Sequence, residues 1–155
     1  MKSTRFAMKN GTIAKTFAIA AVTALALGMA STANAERKCS EATLEGAFAY
    51  TSIGSIVAAP IPSLVGPSAE VGLESFDGRG NVTFTFNSSQ NGNIGPGTAT
   101  GTYTVNEDCT GTFTEALPGF TAHYSFVIDD NGNGYQAICQ DAGVVISRTS
   151  RKQYH

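Results

Sequence analysis

Asn81-Val-Thr-Phe-Thr-Phe-Asn87 puts an apolar side chain at every second position, with Val82, Phe84 and Phe86 on one side and Thr83 and Thr85 on the other. A period of two fits a half-buried strand and no helix. Similar alternation marks eight short segments, at residues 44–51, 70–76, 81–87, 98–106, 111–116, 121–128, 134–139 and 143–148. Tyr103 and Val105 oppose Thr102 and Thr104, and Tyr124, Phe126 and Ile128 share a face. Past residue 35 no stretch carries a helical apolar stripe. The chain is therefore read as all-β.

The segments are joined by short strings rich in Asp, Asn and Gly: Asp77–Gly80, Glu107–Thr110, Asp129–Asn133 and Gln140–Ala142. Such residues tolerate tight-turn geometry, and strands joined by tight turns are antiparallel neighbours. Eight in succession predict an up-and-down meander, whose closure into a barrel removes its exposed edges. A two-sheet β-sandwich is the alternative the residue pattern leaves open.

The first 35 residues read as an address. Lys2, Arg5, Lys9 and Lys15 precede the uncharged apolar run Thr16–Ala30, and Ala33-Asn34-Ala35 has the form of a cleavage site. The run is shorter than the roughly 20 residues of a spanning helix, so no membrane span is expected. Cys39 follows Glu36-Arg37-Lys38 rather than small residues, which argues against lipidation there. The expected product is one secreted or periplasmic domain, residues 36–155, of a size for one core. All twelve acidic residues lie in that part, against six basic ones, a net charge of −6. An acidic domain lacks the electrostatic footprint of a nucleic-acid binder.

In a meander every second connection falls at the same end. Turns 77–80, 107–110 and 129–133 share one end with both termini, a mixed-charge surface; call it the bottom. The top holds Ser52–Ala69, eighteen residues without a charge, and Leu117–Phe120. A long apolar loop either plugs the barrel or covers a pocket. The plug reading assigns Ile53, Ile56, Val57, Ile61, Leu64 and Val65 to the core. The pocket reading places a small apolar ligand among Tyr50, Ile56, Leu64, Phe86, Glu115, Phe120 and Tyr124. Glu115 shares its face with Phe113, so an inward carboxylate there would orient a ligand.

Phe76–Phe86 (FDGRGNVTFTF), Gly101–Thr114 (GTYTVNEDCTGTFT) and Ile146–Gln153 (ISRTSRKQ) resemble a family of small secreted bacterial proteins. Its pattern is an FDGxGN turn, a GTYTVxxDCTGT hairpin and a basic tail. The resemblance spans most of the chain after residue 35, implies a fold, and brings over no functional residues. Gly46-Ala47-Phe48 stands where that family has Gly-Thr-Tyr. Lipocalins offer an architectural analogy, with eight strands and a long first loop over the mouth. Their Gly-x-Trp signature is replaced here by a Phe at 48.

Catalytic patterns are missing: there is no G-x-S-x-G, no H-E-x-x-H and no phosphate-cradling glycine loop, and nothing points to a cofactor. His123 falls on the outward face of its strand and His155 ends the chain. Asp129–Gly134 matches the first half of a calcium loop, but its twelfth position is Gln140 rather than a bidentate Glu, so no metal is expected. Three classes remain: a binding module for a small apolar ligand, an envelope protein that docks a partner, and, weakest, a pocket-type isomerase. The domain is expected to be a monomer.

Three cysteines leave one unpaired. Cys39 and Cys109 both belong to the bottom, whereas Cys139 ends the seventh strand at the top. A bridge needs Cα atoms within about 7 Å, so Cys39–Cys109 is the predicted disulfide. Cys139 shares its phase with Tyr135 and Ala137 and is predicted to be a buried thiol.

Overall fold

The structure, a computed structural model, describes residues 38–59 and 61–154, and of Asp130 only the backbone. The signal peptide predicted for residues 1–35 lies outside the described residues. Eight antiparallel strands follow one another: β1 (Gly46–Ile56), β2 (Gly66–Phe76), β3 (Asn81–Gln90), β4 (Asn93–Val105), β5 (Thr110–Leu117), β6 (Phe120–Ile128), β7 (Gly134–Cys139) and β8 (Val144–Lys152). Each pairs with the next, and β8 returns onto β1 from Phe48↔Lys152 to Ile56↔Val144. The sheet is a closed barrel in sequence order, which decides against the sandwich.

Several strands run further toward the top than the alternation implied. β1 continues through Ser52–Ile56, β2 starts at Gly66, and β3 and β4 meet at a two-residue turn, Asn91-Gly92. The reason is backbone pairing rather than side-chain pattern. Ser52, Gly54 and Ser55 are weak strand formers, yet each is paired on both sides, to β2 and to β8. The first connection therefore shrinks to residues 57–65. Ile53 and Val57 point out, 62% and 64% exposed, while Ile56 is buried and Leu64 half-buried. Residues 52–69 do not pack inward as one plug.

The bottom turns form as their side chains require. Asp77 Oδ1 accepts hydrogen bonds from the backbone N–H of Arg79 (2.7 Å) and of Asn81 (2.9 Å), closing the β2–β3 turn. In the β4–β5 turn Asp108 Oδ1 accepts from Thr110 N–H at 3.1 Å. The Asp129–Asn133 string is a hairpin turn in which Asn131 (φ 74°) and Gly132 (φ 72°) adopt left-handed backbone, as this composition favours.

Inward-facing residues divide the interior into layers. The lower half is aromatic: Phe48, Phe76, Phe84, Tyr103, Phe113, Phe126 and Tyr135 are almost fully buried. Phe76 and Tyr103 meet edge-on at 4.9 Å, and Phe113 stacks on Tyr124 at 4.6 Å. Such pairs contribute about 0.5–1.5 kcal/mol each beyond area burial. Beneath them a short 3-10 helix, Glu41–Leu44, stoppers the barrel with the wholly buried Leu44. Tyr103 Oη donates to the Glu41 carbonyl at 2.9 Å. The Cys39–Cys109 disulfide, Cα–Cα 5.0 Å, ties this segment to the β4–β5 turn, the pairing deduced from strand parity. Cys139 is a buried free thiol at the other end.

Candidate functional site

Above the aromatic layer the interior opens. The top halves of the strands enclose a cavity of 490 Å³, a size that holds a small organic molecule. Its walls are mainly apolar, with Ile56 from β1, Leu64 and Ile61 from the first connection, Phe86 from β3, Leu117 from β5 and Ile146 from β8. Phe120, 40% exposed, stands at the mouth.

The floor is charged. Arg148 on β8, 2% exposed, sends Nη2 to Glu115 Oε2 on β5 at 2.7 Å and to Glu70 Oε1 on β2 at 3.4 Å. Its Nη1 lies 3.6 Å from Oε2 of Glu74, two inward positions below Glu70 on β2. Strand alternation delivers these groups. Glu70, Gly72, Glu74 and Phe76 share the inward phase of β2, as Ile146, Arg148 and Ser150 do on β8. The guanidinium lies over the Tyr50 ring, 4.1 Å to its centroid, and 4.8 Å from that of Tyr124. Desolvated contacts of this kind are worth about 2 kcal/mol.

Burial sets the protonation of the layer. It opposes the charge of Arg148, but Glu115 and its neighbours more than offset this and hold the guanidinium well above its usual range. Burial pushes Glu74 up to about 7, against the pull of Arg148 and of hydrogen bonds from Ser150 and Tyr135. Tyr135 Oη donates to Glu74 Oε1 at 2.6 Å. Glu70 is also raised by burial, and accepts from Tyr50 Oη at 2.5 Å. Burial holds the Tyr50 and Tyr124 hydroxyls above their ordinary value, so both stay neutral donors. Among the described residues four buried atoms of the layer make no hydrogen bond: Arg148 Nε and Nη1, Glu115 Oε1 and Glu74 Oε2. Arg148 Nη1 and Glu74 Oε2 face each other as an ion pair at 3.6 Å, which leaves Arg148 Nε and Glu115 Oε1 unsatisfied beside an apolar cavity, where leaving them so costs free energy.

Of the residues expected around a ligand, Ile56, Leu64, Phe86, Glu115, Phe120 and Tyr124 line the cavity. Tyr50 lies one layer deeper, its hydroxyl committed to Glu70 and its ring face to Arg148. Arg148, Glu70 and Glu74 escaped the sequence reading. Their signal was phase: Glu74 shares that of Phe76, and Arg148 that of Ile146. Cys139 and Asp141 lie at the rim, the thiol donating to Asp141 Oδ2 at 3.5 Å and raised by burial. His123 is outward, its Nδ1 2.8 Å from Asp141 Oδ1. Among the described residues no group of three or more His, Cys, Asp or Glu is disposed to hold a metal ion, and no helix is long and apolar enough to cross a membrane.

No family model matches the chain, and no curated protein does. The likeness to small secreted bacterial proteins therefore rests on the motifs quoted above. Among solved structures the chain is similar to the S-type phycobiliprotein lyase CPES from Guillardia theta, at 10% identity and a TM-score of 0.44, over 77% of this chain and 96% of that one.

Proposed function

We propose that the protein is an exported binding module that holds a small, mainly apolar molecule in the top cavity, with a polar group of that molecule on the Arg148–Glu115 floor. The observation that carries this reading is the pairing of a 490 Å³ apolar-walled cavity with two buried atoms of its floor, Glu115 Oε1 and Arg148 Nε, that make no hydrogen bond. Export is supported by the leader-like first 35 residues and by the disulfide, which persists in oxidising compartments. A second reading, docking of an envelope partner, draws on Ile53 and Val57, which leave 62% and 64% of their surface bare near the mouth.

Titration with the neutral fluorophore N-phenyl-1-naphthylamine tests the first reading. Ile56→Ser with Leu64→Ser should weaken probe binding about tenfold or more, the consequence of lost apolar contact, while moving the melting midpoint by only a few degrees. A large fall in the midpoint with unchanged probe affinity would make these residues structural and overturn the reading. Native mass spectrometry of protein from its own source would then show the ligand's mass.

A further inference from the structure

The charge balance of the floor narrows the ligand class, an inference that rests on the cavity being a binding site. The ionisable side chains lining the cavity are Glu70 on β2, Glu115 on β5, Cys139 at the end of β7, Asp141 in the β7–β8 turn, Tyr124 on β6 and Arg148 on β8. Tyr50 on β1, Glu74 on β2 and Tyr135 on β7 face the same layer from beneath. One guanidinium thus meets three carboxylates, while a fourth, Asp141, lies at the rim beside His123. Arg148 is already ion-paired to Glu115 at 2.7 Å, with Glu70 at 3.4 Å and Glu74 at 3.6 Å. Yet Glu115, whose side chain is 2% exposed, keeps Oε1 without a hydrogen-bond donor.

We propose that the cavity selects an amphipathic amine: a cationic ammonium head on the Glu115 and Glu70 carboxylates, with an alkyl or aryl body among Ile56, Leu64, Phe86 and Leu117. An ammonium supplies donors only, which suits the orphan Glu115 Oε1, and its charge corrects the acidic excess. An anionic head would reach the free Arg148 Nε, but would stand among carboxylates that outnumber the one cation in a poorly screened interior. The raised pKa values of Glu70 and Glu74 add a linkage. Near neutral pH Glu74 retains part of its protons, and an arriving ammonium displaces them from the layer. Amine affinity therefore rises with pH across the neutral range.

The test compares three probes of one chain length, decylamine, decanol and decanoate, by isothermal titration calorimetry with the full domain at pH 5.5, 7 and 8. Decylamine stays cationic and decanol neutral over that range, and decanoate is anionic at pH 7 and 8. The expected order at pH 8 is amine, then alcohol, then acid, with the amine ahead of the alcohol by about tenfold, the effect of one well-placed charge pair. Amine affinity should fall toward pH 5.5 while that of decanol stays level, and amine binding should release protons in buffers of different ionisation enthalpy. Glu115→Gln should erase the amine advantage, so that decylamine binds that variant no more tightly than decanol does. Should that variant fail to fold, the pH series on the wild type decides. Decanol binding as tightly as decylamine, or decanoate binding best, would overturn the amine assignment and leave the cavity reading intact. Failure of all three probes to bind would overturn both.

Discussion

Glu74 illustrates how one buried side chain couples this fold to pH. It is wholly buried, its carboxyl raised to about 7 chiefly by desolvation. In the unfolded chain a glutamate titrates near 4.3. Between those values the folded state holds more protons than the unfolded one, so stability falls as pH rises through the interval. Glu70, raised for the same reason, acts in the same direction. At the acid end Asp77 and Asp108 are held below their usual range, by hydrogen bonds from Asn81 and Thr110, and their contribution is lost as pH drops through those lowered values. Thermal melts from pH 3 to 8 should therefore peak near about pH 4, with roughly 3 kcal/mol lost from there to pH 8. Glu74→Gln should flatten most of that alkaline slope. A midpoint that climbs steadily from pH 5 to 8 would show that Glu74 is ionised throughout.

At the scale of the elements, the closing seam between β1 and β8 depends on a missing side chain. A Cβ on Gly54 would lie 1.9 Å from the Val145 carbonyl oxygen and 2.6 Å from Ile146 Cα. Those are backbone atoms of the strand that completes the barrel, so they cannot swing aside. Gly54→Ala should cost about 1–3 kcal/mol in urea denaturation, the usual range for overpacking. Wild-type stability in that variant would mean that the seam spreads freely. A related close approach occurs at Gly101, where a Cβ would fall 1.8 Å from the Thr114 carbonyl oxygen. There the β4–β5 pairing skips from Tyr103↔Phe113 to Thr100↔Ala116, and Thr102 N–H donates instead to Thr114 Oγ1 at 3.0 Å. Glu115, whose carboxylate reaches Arg148, follows directly after Thr114 in this stretch.

The whole molecule separates its tasks by end. The bottom carries the 3-10 stopper, the disulfide and the aromatic packing, while the top carries the cavity. Cys39 and Cys109 close a loop of 70 residues, and removing that constraint from the unfolded chain should lower stability by about 4 kcal/mol in the chain-entropy model. The double variant Cys39→Ser with Cys109→Ser should show this loss in urea titration. Its affinity for N-phenyl-1-naphthylamine, measured at a temperature where it remains folded, should match the wild type, because the bridge lies at the end away from the cavity. A parallel loss of affinity would mean that the two ends are mechanically coupled.

What the amino-acid order determined by itself was periodic and local. Val82-Thr-Phe-Thr-Phe86 and Tyr124, Phe126 and Ile128 announce strands and their inward faces, because side chains alternate across a pleated backbone. The Asp- and Gly-rich turns make neighbours antiparallel, so parity alone paired Cys39 with Cys109 and left Cys139 buried at the other end. Closure and the polar floor belonged to the tertiary structure. Whether β8 meets β1 depends on twist and stagger summed over eight strands, which no segment records. The Ser52–Ile56 stretch and Ser68–Ala69 became strand only because partners on both sides took up their backbone groups. Arg148 lies in a string, Ser147-Arg-Thr-Ser-Arg151, that is polar on both faces, so hydrophobic periodicity could not tell inside from outside. A guanidinium becomes tolerable in a barrel interior only when carboxylates from β2 and β5 surround it, and those come from residues 78, 74 and 33 positions away.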